Sequence, residues 1–179
     1  GGGLGIYTPE EVGPMSFQVP NGVVDILVED EAEAVQVAKQ YLSYFQGSVD
    51  SWEAPDQRRL RHIVPENRLR LYDMREVIAT IADEDSVLEI REGFGVGVIT
   101  CFIRVEGRPM GVIANNPHHL AGAIDSDGAD KGTRFIQLCD AFDIPILSLM
   151  DCPGMMVGPD VEATALVRHC VRMFNAGAN

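Results

Sequence analysis

The chain has 179 residues, with 27 acidic against 14 basic side chains and a net charge of -13. Apolar residues make up 46%, which marks globular material with enough sequence for one sizeable core or for parts of two. The charge argues against a phosphate-tracking nucleic-acid binder, but leaves room for an anionic cofactor held by backbone N–H groups.

No apolar run reaches the roughly 20 residues that cross a bilayer. The opening "GGGLGIYTPEE" also lacks the basic-then-apolar order of a signal peptide. Cys101, Cys139, Cys152 and Cys170 have no C-x-x-C spacing, and three of them fall in predicted regular structure. The expectation is reduced thiols in a cytoplasmic compartment, with no disulfide framework and no metal site.

Residues 1 to 29 are punctuated by Gly and Pro, with one strand candidate at Val23 to Val28. Asp30 suits the cap of a helix over "EAEAVQVAKQYLSYF", with Val35, Ala38, Leu42 and Phe45 as its apolar stripe and Gly47 as its stop. From Ser48 to about Leu71 the composition turns to charge, Pro and Trp, as in a linker between two bodies. A second helix follows at "YDMREVIATIAD", with Val77, Ile78 and Ile81 inward.

Three strands come next, at "SVLEI", "VGVITCFIRV" and "MGVIANN", with a hairpin turn at Glu106-Gly107-Arg108-Pro109. The middle strand alternates only partly, so it should be covered on both faces. The helix "DKGTRFIQLCDAF" places Phe135, Leu138 and Phe142 on one side. The continuous apolar run "IPILSLM" reads as a central parallel strand, and the helix "VEATALVRHCVRMF" closes the chain. Antiparallel strands feeding a parallel crossover give an α/β layer fold. The opening without methionine and the stop just after a helix lead us to expect a piece of a longer protein.

In open α/β sheets ligands bind beyond the carboxyl ends of the strands. That is where "DCPGMMVG" falls, yet this loop holds no serine, histidine or lysine. It can present backbone N–H groups to an oxyanion, or it can be a plain strand-to-helix turn. Cys152 with His169 would make a thiol nucleophile pair, but a packed cysteine at a strand end is the simpler reading. His118 and His119 are adjacent and converge poorly on one ion. Asn115 and Asn116 could orient a carbonyl ligand, or end the strand in an Asx turn. The run "GFGVG" has no lysine and no helix after it, so it is not a phosphate loop.

"GRPMGVIANNP" followed by "DKGTRFIQLCDAFDIPILSLMDCPGMMVG" resembles the carboxyltransferase (beta) component of biotin-dependent acyl-CoA carboxylases, of the acetyl- and propionyl-CoA carboxylase type. "PNGVVDILVEDEAEAV" and "IVPENRLRLYDMREVI" agree upstream, in the same order. The resemblance implies a crotonase/ClpP-like ββα spiral. Residues 1–47 would close the N-half carboxyltransferase domain, 48–72 would be the linker, and 73–179 would open the C-half domain. It implies transfer of a carboxyl group from N1 of carboxybiotin to the α-carbon of an acyl-CoA, with paired backbone N–H groups stabilising the oxyanions.

The family's two glycine-rich oxyanion segments are expected before Gly1 and after Asn179. This piece by itself would then be inactive. Asp151, Gly154, Met155, Gly158 and Asn115 are the biotin-side pocket candidates. Implied partners are a biotin carboxylase, a biotin carboxyl carrier component and further copies of the chain, with no nucleic acid and no membrane. Gln18 departs from the histidine that many members carry there. The alternatives are a biotin-dependent decarboxylase or transcarboxylase subunit, and a non-catalytic fragment of such an assembly. A ClpP-type protease would need a base for Ser148, which the sequence does not offer.

Overall fold

The structure, a computed structural model, describes residues 2–67 and 69–178. The expected boundaries at Gly1 and Asn179, and Arg68 of the linker, lie outside the described residues. The first segment carries two single helical turns, α1 (Pro9–Val12) and α2 (Met15–Gln18), neither with a buried residue. Val23 to Val28 forms no strand, contrary to expectation. Its anchors are a backbone bond from Arg91 N–H to Asp25 O and an ion pair of the same residues, each at 2.7 Å. A β-prone run with no partner ladder has nowhere to place its hydrogen bonds as a strand.

Helix α3 (Glu31–Ser43) is capped by the Asp30 side chain, which accepts from Glu33 N–H. Its buried stripe is not the expected one, because Val35 and Leu42 are exposed. Of the expected residues Phe45 does face the core, joined by Val37, Tyr41 and Tyr44, and the three aromatic rings gather around Phe102 at centroid distances of 5.3 to 5.8 Å. The rotation follows burial, since three rings remove far more apolar area from water than a Val-Ala-Leu stripe. Helix α3 stops at Ser43, short of the expected Phe45, and a turn leads to Gly47 at φ +87°.

The segment 48–72 is mostly exposed and includes the short helix α4 (Leu60–Ile63). Helix α5 (Met74–Ile81) starts at the Asp73 cap, with Met74 and Ile78 buried and Val77 and Ile81 packed beside them. A four-stranded sheet follows in the order β1-β2-β3-β4. β1 (Leu88–Glu89) is only two residues of the predicted "SVLEI". β2 (Val98–Val105) and β3 (Arg108–Asn115) form the expected hairpin, in register from Val98↔Asn115 to Val105↔Arg108. Helix α5 covers one face of the sheet, through Ile99, Cys101 and Ile103 of β2. Helices α3 and α6 cover the other, through Phe102 and Val98.

Helix α6 (Ser126–Ala141) begins before the predicted "DKGT", because Asp125 caps it by accepting from Gly128 N–H. Phe135 and Leu138 pack inward, while Phe142 stays exposed with its ring edge on Phe45. β4 (Ile146–Leu149) runs parallel to β3, as the crossover requires, but among the described residues it is an edge strand, as β1 is on the other side. Among the described residues the expected central, doubly covered "IPILSLM" is therefore neither central nor fully covered. The buried centre is β2, and β4 is half-exposed. A short apolar run carries no information on how many neighbours its strand has. The closing helix is also broken, into α7 (Pro159–Ala163) and α8 (Leu166–Gly177), with left-handed Ala165 between them.

Candidate functional site

The site lies at the carboxyl ends of the parallel pair β3 and β4, where two loops meet. Asn115 ends β3 and Asp151 follows β4 closely. The two loops are joined by backbone hydrogen bonds. Ile124 N–H donates to Gly154 O at 3.1 Å, and Met156 N–H donates to Ile124 O at 2.9 Å. Ile124 and Met155 thereby form an isolated parallel bridge. The strand-end geometry thus continues past the strands, and the Asp151–Gly158 loop is held at Gly154 and Met156.

Gly122 makes this meeting possible. It has φ +84°, and a Cβ there would stand 2.3 Å from Asp151 O. The Asn115 side chain donates to Gly122 O at 2.9 Å and so clamps the same turn. His119 Nε2 lies 3.0 Å from Asp125 Oδ2, while the other Asp125 oxygen caps α6. These contacts give the loop before α6 a rigid frame.

In the second loop, Gly154 and Gly158 have φ of +127° and +129°, a region closed to L side chains, and open space where a Cβ would stand. Gly158 is the N-cap of α7, and Pro159 takes its first position. Met155 turns inward against Cys170, sulfur to sulfur at 3.0 Å. The Asp151 carboxylate is exposed and accepts from Tyr72 Oη at 2.7 Å. Burial, and then this hydrogen bond, push the Tyr72 phenol up to about 12. Asn115, Ser148 and Met150 also line an apolar cavity of about 500 Å³ between the sheet edge and helices α6 and α8.

Asp151, Gly154, Met155 and Asn115 are thus linked through Gly122 and Ile124, while Gly158 ends the same loop at the start of α7, with no hydrogen bond to them among the described residues. Cys152 and His169 are not a pair. The Cys152 thiol lies on Gly154, and His169 Nδ1 lies 2.8 Å from Asp130. Asn116 makes the Asx turn, accepting from His118 N–H and donating to Val96 O. Burial pushes the Cys101 and Cys139 thiols up to about 12 and raises Cys170, which keeps them from acting as thiolates. Among the described residues no three His, Cys, Asp or Glu side chains converge on a metal position, and no helix is long and apolar enough to cross a membrane. Sequence reasoning missed Tyr72, hidden in a charged stretch, and Gly122, whose only signal is one glycine between two alanines.

The carboxyl transferase domain model matches residues 5–179. This chain belongs to the carboxyl transferase domain family. It is 56% identical to the solved structure of a single-chain, multi-domain long-chain acyl-CoA carboxylase, with a TM-score of 0.97 over 99% of this chain and 18% of that one. The transcarboxylase 12S structure, described as a hexamer assembly with hydrolyzed methylmalonyl-coenzyme A bound, matches at 32% identity. Its TM-score is 0.84, over 96% of this chain and 35% of that one. The uncharacterized carboxylase YngE of Bacillus subtilis (strain 168) is 39% identical over 164 residues, 87% of this chain and 32% of that protein.

The chain spans about a third of the length of the curated relatives it matches. The fold of this carboxyl transferase domain chain is α/β of the crotonase type, with the β2–β3 hairpin and α6 as a ββα unit that leads into β4.

Proposed function

We propose that this chain is part of the carboxyltransferase component of a biotin-dependent acyl-CoA carboxylase acting on long-chain acyl-CoA. The observation that carries the reading is the Asp151–Gly158 loop, which holds no serine, histidine or lysine, keeps its Cys152 thiol apart from His169, and is tied by backbone hydrogen bonds just beyond the ends of β3 and β4. Such a loop suits a reaction whose needs are positioning and oxyanion stabilisation. The 56% identity to a long-chain acyl-CoA carboxylase supports the substrate class.

Bound carboxybiotin supplies the carboxyl group that moves to the acyl α-carbon. The residues present fit a flat, cyclic urea: open space above Gly154 and Gly158, and a carboxylate acceptor at Asp151. In this reading Gly154 and Gly158 let the ring approach the backbone, and Met155 closes the pocket floor. Asn115 holds the Gly122 turn against Asp151. Residues 1–47 belong to the N-half domain, 48–72 link the halves, and 73–179 belong to the C-half. The partners are a biotin carboxylase and a biotin carboxyl carrier in the cytoplasm, with further copies of the chain, as the hexamer assembly of the transcarboxylase relative suggests.

The test is the reverse reaction of the full-length protein, in which free biotin accepts the carboxyl group from carboxylated short-, medium- and long-chain acyl-CoA. Biotin-dependent turnover highest on long chains supports the reading. Turnover on none of them would refute it, and a preference for short chains would refute the substrate class alone.

A further inference from the structure

Asp151 is held from two sides that have no neighbourhood in sequence. Its main-chain carbonyl lies against Gly122, and its Oδ2 accepts from the Tyr72 phenol, 79 residues earlier in the chain. Tyr72 is the last residue of the 48–72 segment, but its position is set by a rigid element. Asp73 caps α5 directly after it, and Met74 and Ile78 are buried in the core. Arg75 is bound to both oxygens of Glu89, each at 2.7 Å. The raised phenol keeps its proton throughout the physiological range, so Tyr72 donates and Asp151 accepts. Among the described residues no donor reaches the other oxygen, Asp151 Oδ1.

We propose that Tyr72 is a positioning residue, which turns the Asp151 carboxylate so that its second oxygen accepts the free ureido N–H of the biotin ring. A carboxylate accepts from several donors at once, and a tether on one oxygen fixes the direction of the other. A cyclic urea carboxylated on one nitrogen keeps a single N–H, so one aimed acceptor orients the whole ring. The same tether joins the end of the linker to the loop, so the setting of the linker bears on how this ring is held.

This inference rests on the carboxyltransferase reading. Tyr72→Phe removes the hydroxyl and keeps the ring. In the full-length enzyme, assayed in the reverse reaction, we expect the KM for free biotin to rise about tenfold, the size of one lost hydrogen bond to a charged group. The KM for the acyl-CoA should stay within about twofold and the melting temperature within about 2 °C, since the ring packing is kept. Asp151→Asn should raise the biotin KM similarly, and adding Tyr72→Phe to it should change little further.

An unchanged biotin KM in Tyr72→Phe overturns the inference. So does a parallel loss in both substrates with a lowered melting temperature, which would make the contact merely structural. Full additivity of the two substitutions overturns it as well. A wild-type enzyme without biotin-dependent turnover overturns the carboxyltransferase reading itself, and this inference with it.

Discussion

Replacing Gly122 by alanine tests whether the two loops of the site are held as closely as their geometry requires. The added Cβ would stand 2.3 Å from Asp151 O, on a residue with φ +84°. An ordinary carbon–oxygen contact is about 3.3 Å, so one of the two backbones must move by about 1 Å. The left-handed conformation adds about 1–2 kcal/mol of its own for an L residue, and forced overpacking adds about 1–3 kcal/mol.

Gly122→Ala should therefore lose about 2–5 kcal/mol of stability in urea denaturation. Moving Asp151 by about 1 Å should also cost turnover roughly 10²-fold in the carboxyl-transfer assay. Gly177→Ala is the control, because nothing lies within 4 Å of that Cβ and its φ is ordinary. A Gly122→Ala protein that denatures with the wild type and turns over within twofold of it would refute the close approach, and with it the rigid frame of the loop.

In Gly158→Val the added Cβ meets no neighbour, but the residue is forced into backbone that L side chains avoid. Strain of about 1–3 kcal/mol at the start of α7 should lower turnover more than stability, and equal turnover would leave this loop a plain turn. Phe102 is fully buried among four aromatic rings, so Phe102→Ala should cost about 3–5 kcal/mol. Ile146→Ala, on the half-exposed β4, should cost clearly less by the same denaturation measurement, and equal losses would restore β4 as a central strand. Lys131 is 1% exposed, and its Nζ has no hydrogen-bond partner among the described residues. Burial pulls it down to about 8 from 10.5, so the unfolded chain binds more protons between these values and stability should rise with pH across that window. Lys131→Met should be more stable than wild type by about 1–3 kcal/mol at pH 7, with the gap narrowing by pH 10. A gap that does not change with pH would show the ammonium to be paired.

Elements whose signal is local were legible in the sequence. Asp30 and Asp73 announced their helices because a cap is a contact within three residues. The β2–β3 hairpin was legible because its turn and both of its strands are consecutive. The "DCPGMMVG" loop stood out because proline, glycine and an acid after an apolar run have few conformations to choose from.

What depended on partners distant in the chain was decided only by the tertiary structure. Whether Val23 to Val28 pairs, which side of α3 turns inward and whether β4 lies at the centre or the edge all rest on neighbours that no local period encodes. The site follows the same division. Asp151, Gly154 and Gly158 share one loop and could be read together, whereas Gly122 and Tyr72 reach Asp151 only once the chain has folded. Their contribution is a matter of distance in space, and a single tyrosine or glycine in a row of residues carries no mark of what it will touch.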